Sequence, residues 1–190
     1  MSLLWQGKAW VFGDDVPNDE GIMPLRLVRQ QEYEPAALAP HCFEQIDAAF
    51  AGAAQRGDVV FGGRNFGYGN PHIQGFLGLK GLGVGLVVES MSRGPLRACV
   101  NAGVPVLIVA GAARFARAGD AVEVDFVTGL CRNRSTGAEL QAPALAPVMR
   151  EIVEAGGGIE HMKRVIAARK TAATAATAAT AASAVAQPAA

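Results

Sequence analysis

The chain has 190 residues and no apolar run approaching the roughly 20 that a membrane helix needs, so no membrane span is expected. It has no net charge, because 17 Lys and Arg balance 17 Asp and Glu. No polyanion-binding face follows from that balance, and nucleic acid is not expected as a partner. The start, MSLLWQGKAW, has no basic region followed by an apolar stretch and a cleavage site. No secretion signal is read there, and a cytoplasmic protein is expected. Cysteine is scarce: Cys42, Cys99 and Cys131 are odd in number and far apart, with no C-x-x-C pair. Neither a zinc site nor a redox dithiol is supported, which leaves three reduced thiols packed as small hydrophobes.

What is present indicates one globular unit. Hydrophobic residues make up 51% and charged residues 18%, too apolar for a disordered chain. The last twenty residues stand apart. They carry no charge, and Thr171, Thr174, Thr177 and Thr180 recur every third residue. A period of three gives no lasting apolar stripe on a helix of 3.6 residues per turn. Residues 1–170 are therefore expected to form the domain, and residues 171–190 a disordered tail or frayed helix.

Before that tail, strand and helix signals alternate. Strands are expected at Lys8–Phe12, Asp58–Phe61, Val84–Glu89, Val104–Ala110 and Ala121–Val127, with turn plus strand over Arg132–Leu140. Helices are expected over Glu34–Ala54, from Pro71, over Gly94–Ala102, Pro147–Ala155 and Ile159–Arg169. Such alternation implies an α/β domain with a largely parallel sheet.

The most informative stretch is GGRNFGYGNPHIQG, Gly62–Gly75. Glycines allow a tight turn after a strand, and Asn70-Pro71 looks like an N-cap followed by the first helical residue. Free N–H groups and the helix dipole there would favour a carboxylate or phosphate. A plain turn that binds nothing has the same spacing. The loop is not a Walker A motif, since no G-K-S/T ends it, and Gly67-Tyr68-Gly69 lacks the third glycine of a dinucleotide fingerprint. His72 is the one histidine near the loop and could act as a base or hydrogen-bond a carboxylate. Asp14, Asp15, Asp19 and Glu20 cluster in a turn without the spacing of a calcium loop. Ser90, Ser92 and Arg93 follow a strand, where open α/β sheets place ligand sites, and Arg93 could pair with a carboxylate.

Taken in order, these pieces resemble the small-subunit family of 3-isopropylmalate dehydratase, the swivelling β/β/α domain of the aconitase superfamily. The resemblance covers most of Gly7–Arg164. GKAWVFGDDVPNDEGIMP is similar to the family's strand, G-D-D-V/I-x-T-D and I-I/M-P. GDVVFGGRNFGYG resembles its G-D-I/V-I/V-x-A/G-G-x-N-F-G-C/S-G, and ACVNAGVPVLI its N-x-x-N-x-G-L-P run. GDAVEVDFVTG and EIVEAGGGI match the end of the pattern. The resemblance implies a hydro-lyase that removes or adds water on a hydroxy di- or tricarboxylic acid. It implies a partner large subunit holding a 4Fe–4S iron–sulfur cluster, with this chain's glycine loop laid over the substrate. Gly67, Gly69, Arg26, Asp19, Ser90 and Arg93 fall on substrate-site positions of the pattern.

One stretch departs from the family. After N-F-G-x-G the family has S-S-R-E-H, whose first Ser is the base and whose Arg binds a carboxylate. Asn70 stands in place of that Ser and His72 in place of that Arg, and the family's T-D becomes Asn18-Asp19. Asn has no proton-accepting state near neutral pH. One reading is a hydro-lyase with His72 as the proton-transfer group, Tyr68 as second candidate, and Asn70 holding a carboxylate. The other is a non-catalytic partner subunit or carboxylate-binding protein that has lost the base.

Overall fold

The computed structural model describes residues 3–185, and the side chains of residues 3–174. Three short runs of β-branched and aliphatic residues form the centre of a sheet: β2 (Val59–Gly62), β3 (Gly85–Val88) and β4 (Val106–Ile108). β2 and β3 are buried at every residue, as strands covered on both faces must be. Helices cross over between them: α4 (Gln74–Leu82) between β2 and β3, and α5 (Arg93–Ala102) between β3 and β4.

β1 (Leu4–Val11) joins this group to a second one. Its last residues, Ala9–Val11, pair in parallel with Val59–Phe61. Its first five, Leu4–Lys8, pair antiparallel with β5 (Ala121–Asp125). β6 (Leu130–Asn133) and β7 (Glu139–Gln141) continue the meander, giving the order β4-β3-β2-β1-β5-β6-β7. The α/β expectation is met, but the sheet is mixed rather than largely parallel. Only a few residues separate β5 from β6 and β6 from β7, and a parallel crossover needs a dozen or more. β1 begins before Lys8 because β5 gives its first half a partner. β2 begins after Asp58, whose buried carboxylate accepts from Lys8 N at 2.8 Å, Trp10 Nε1 at 2.9 Å and Gln55 N at 3.0 Å.

The helix expected over Glu34–Ala54 is three separate pieces. After α1 (Leu25–Arg29) come α2 (Pro35–Leu38), a 3-10 turn at Ala39–His41, and then α3 (Phe50–Ala53). Pro40 has no N–H for a continuing helix. Cys42 leaves extended, and Phe43 takes a positive φ of 57°. The reward is aromatic: Phe43 stacks on Phe12 at 4.2 Å and meets Phe50 edge-on at 4.9 Å. Burying a side chain of that size contributes about 1.5–3 kcal/mol. Ile46, an apolar residue at helical spacing from Cys42 and Phe50, is exposed.

α4 carries glycine every third residue on the face that meets α2 and the Ile22 loop. A Cβ at Gly75 would meet Asn18 Oδ1 and Ile22 Cγ2 at 2.9 Å, and one at Gly81 would meet the Pro35 carbonyl. Only glycine allows this approach. α6 (Ala112–Phe115) and α7 (Pro147–Ala155) complete the helical layer, α7 with the expected bounds. α8 runs Gly158–Val185, past the Arg169 expected, so part of the 171–190 tail is helical. Residues 186–190 of that tail lie outside the described residues. Among the described residues, no helix is long and apolar enough to cross a membrane.

Candidate active site

β1 and β2 run in parallel, so the loops that follow them leave the sheet at the same edge. The backbones of these loops are joined along their length. Gly63 N donates to Gly13 O at 3.1 Å, and Asp15 N to Arg64 O at 2.8 Å. Gly67 N donates to Val16 O at 2.7 Å, and Asn18 N to Tyr68 O at 2.8 Å. Gly67 has φ +74°, a left-handed conformation that favours glycine. Side chains add to the seam: the Arg64 guanidinium grips Asp14 at 2.7 Å, and Asn65 Nδ2 donates to Asp15 Oδ1 at 2.9 Å. The backbone donation from Arg64 and its ion pair hold the Asp14 carboxyl below the usual aspartate range. From the end of β3, Ser90 Oγ accepts the Asn65 N–H at 2.8 Å and Ser90 O accepts Phe66 N–H at 2.9 Å.

At the far end of the seam the polar groups converge. His72 Nδ1 lies 2.8 Å from Asp19 Oδ1, and the imidazole is about 36% exposed. An ionised carboxylate only accepts, so a neutral imidazole held there carries its hydrogen on Nδ1 and its lone pair on Nε2. Asn18 Nδ2 donates to the carbonyls of Asn70 at 2.7 Å and of His72 at 2.8 Å.

This corrects the expected helix start. Asn70 does not cap a helix; α4 begins at Gln74, with Ile73 at the N-cap and no side-chain cap bond. The Asn70 and His72 carbonyls are turned to Asn18 instead of to helical N–H groups, and the first helical bond runs from Leu77 N to Ile73 O. The helix N-terminus is therefore not at Asn70, and Asn70 would act through its exposed side chain.

The other expected site residues divide. Gly67, Tyr68, Gly69, Asn70, His72 and Asp19 share this rim; Tyr68 is 41% exposed. Ser90 supports the loop from below through the bonds already given. Arg93 opens α5 and is exposed, with no ion pair among the described residues. Its neighbour Gly94 lies against Pro71, close enough that a Cβ there would sit 3.3 Å from the ring. Arg26 is not at the rim's centre: it forms a fork with Glu44, one arm 2.9 Å long, beside His41. That pairing holds the Glu44 carboxyl down, to about 2.

No family model matches the chain. Sequence comparison does: the chain is 38% identical to the 3-isopropylmalate dehydratase small subunit 1 of Methanopyrus kandleri, over 84% of this chain and 92% of that one. The chain belongs to the 3-isopropylmalate dehydratase small-subunit family. The small subunit from Pyrobaculum calidifontis is also 38% identical, over 85% of this chain and 98% of its own. The isopropylmalate/citramalate isomerase small subunit of Methanocaldococcus jannaschii is 34% identical, over 88% and 98%. A crystal structure of 3-isopropylmalate dehydratase from that organism superimposes with a TM-score of 0.80 and 28% identity, over 88% of this chain and 98% of that one. The fold is thus that of the dehydratase small subunit, a hydro-lyase component that works with a large subunit.

The donor set of this dehydratase small subunit does not fit an iron–sulfur cluster. Cys42, Cys99 and Cys131 are buried on separate segments of the core. Burial pushes the thiols of Cys42 and Cys131 up to about 12, and that of Cys99 up as well. A thiolate ligand needs the opposite shift.

One residue at the rim escaped the sequence reading as a functional candidate: Asn18. The available signal was its place in the departure from T-D, beside a departure at 70–72. Nothing in the spacing linked the two, because they lie more than fifty residues apart.

Proposed function

We propose that this chain is the substrate-covering small subunit of a hydro-lyase that adds or removes water on a hydroxy di- or tricarboxylic acid, with His72 moving the carbon-bound proton. The single observation that carries the role of His72 is its 2.8 Å hydrogen bond to Asp19. A carboxylate behind one ring nitrogen orients the imidazole and keeps the other nitrogen free to accept. Removing the proton on the carbon next to a carboxylate places it on Nε2; delivering it back is the hydration direction. The Asn70 amide, and Arg93 at the start of α5, are suited to hold substrate carboxylates. Arg26 contributes its charge only when Glu44 releases it. Tyr68 is the second candidate for the proton.

The iron–sulfur cluster belongs, on this reading, to the large subunit in the cytoplasm, and this chain's part is to cover, orient and move a proton. The non-catalytic alternative is not favoured, since the relatives are named as dehydratase or isomerase subunits.

Co-expression with the large subunit and anaerobic assay against a panel of hydroxy acids tests the reading. Turnover is expected, and His72→Ala is expected to lower it about 100-fold or more, the usual scale of general base catalysis. An unchanged rate in His72→Ala overturns the assignment of the base. Assembly of the two chains without turnover of any acid overturns the catalytic reading.

A further inference from the structure

We infer that Asn18 is the positioning residue for the His72 segment, so that Asn18-Asp19 acts as one clamp on both the backbone and the ring of the proton-transfer group. This rests on the role proposed for His72. Asn18 is 1% exposed, and its own backbone is pinned on both sides: its N–H donates to Tyr68 O at 2.8 Å and its carbonyl accepts Met23 N–H at 3.0 Å. Its two amide hydrogens are both used across the gap, on the carbonyls of Asn70 at 2.7 Å and His72 at 2.8 Å. Asp19, the next residue, takes the imidazole at 2.8 Å. Two peptide groups and one ring are thus held by two consecutive residues.

The chemistry selects the amide. A primary amide nitrogen has two donors, whereas a hydroxyl has one and a carboxylate none. Two carbonyls converging on one atom therefore require Asn or an equivalent. They also set the amide's orientation, because the flipped form would aim its oxygen at both carbonyls. The oxygen points away, toward Gly75, and has no hydrogen-bond partner among the described residues. Leaving a buried acceptor unsatisfied is unfavourable, so the two donated bonds are where this side chain contributes.

Asn18 stands where the family resemblance has Thr, and the carbonyls it holds bracket the 70–72 run that replaces S-S-R. The two departures meet in space, and each makes sense of the other. The carbonyls of Asn70 and His72 both face Asn18, which provides the second donor that Thr does not have.

The test uses the assembled two-subunit enzyme and the full small-subunit chain. Asn18→Thr, which keeps one donor, is expected to lower kcat about tenfold with KM changed less than threefold. Asn18→Asp, which keeps none, is expected to lower it further. In the His72→Ala background both substitutions are expected to have no further effect, a dependence that a merely structural residue does not show. Independently of activity, the ring-nitrogen NMR shifts of His72 in the full chain should report the Nδ1–H form in the wild type and a mixture in Asn18→Thr. Should Asn18→Asp fail to fold, Asn18→Thr carries the test. An unchanged His72 tautomer in folded Asn18→Thr, or equal rate losses with and without His72, overturns this inference while leaving the role of His72 intact. Full activity in His72→Ala overturns that role whatever Asn18 does.

Discussion

The two halves of the sheet treat a key carboxylate in opposite ways. On the antiparallel half, Glu123 of β5 is buried and saturated. Arg132 Nη1 reaches it at 2.9 Å, Arg134 Nη2 at 2.6 Å and Gln6 Nε2 at 2.7 Å. Arg134 first, then Arg132, hold its carboxyl down to about 2. These donors come from β1, β6 and the turn after β6, so the group ties strands together and has nothing left to offer a ligand. On the parallel half, Asp19 stands in a loop at the rim and holds one partly exposed imidazole. A saturated carboxylate secures a fold. On the proposed reading, the carboxylate of Asp19 orients His72 for proton transfer.

This contrast can be broken in either half, beginning with the largest effect. Phe126→Ala removes a buried ring that meets Trp5 at 5.6 Å on the antiparallel side. It is expected to cost about 3–5 kcal/mol of stability by denaturant titration, while folded protein in the complex keeps its kcat. A large loss of kcat at full folding would mean the halves are not separable. Asp19→Asn should do the reverse, lowering kcat about tenfold or more, because an amide can present a donor to Nδ1 and favour the wrong tautomer, with little change in melting temperature. Should the rate stay at wild-type level, the Asp19–His72 pair is structural after all.

Gly75→Ala sits between these cases, because its Cβ would press on both Asn18 and Ile22 at 2.9 Å. Overpacking of that kind costs about 1–3 kcal/mol, and here it should also reduce kcat by displacing Asn18. Loss of stability with unaltered kinetics would separate the loop clamp from catalysis.

The smallest effect is on pH dependence. Glu123 has its carboxyl lowered from 4.5 to about 2. A lowered folded-state value means that its stabilisation is present above about pH 4.5 and is lost as pH falls toward 2. Glu44, lowered from 4.5 to about 2 by Arg26 and then His41, predicts the same window from the other half. Glu123→Gln is expected to flatten acid unfolding over that window more than Glu44→Gln, because its carboxylate is the more buried of the two. Equal flattening in the two variants would remove the distinction between the halves.

Much of the fold was legible where local signals and packing agreed. The buried runs around Val59, Leu86 and Val106 became the central strands, and Pro147–Ala155 became a helix with its expected bounds. Misreadings arose where a long-range partner overrode local spacing. Leu38, Cys42 and Phe50 have helical periodicity, yet Phe43 draws the chain back onto Phe12. Asn70-Pro71 has the chemistry of a helix start, yet Asn18 takes the carbonyls that a helix would use. At the rim, His72 and Asp19 were both named from the sequence as separate candidates; their pairing was not foreseen. Arg26 falls on a substrate-site position of the family pattern, yet its guanidinium is taken by Glu44, eighteen residues away.

Order along the chain was enough to determine the family, because ordered motifs such as GDVVFGGRNFGYG bring their strand, turn and glycines with them as local conformation. Order could not determine which polar groups meet. Hydrogen bonds act over about 3 Å in space, regardless of separation along the chain. Only the folded arrangement of two parallel strands set Asn18 and Asp19 against residues 70–72, and with them the atom from which a proton could move.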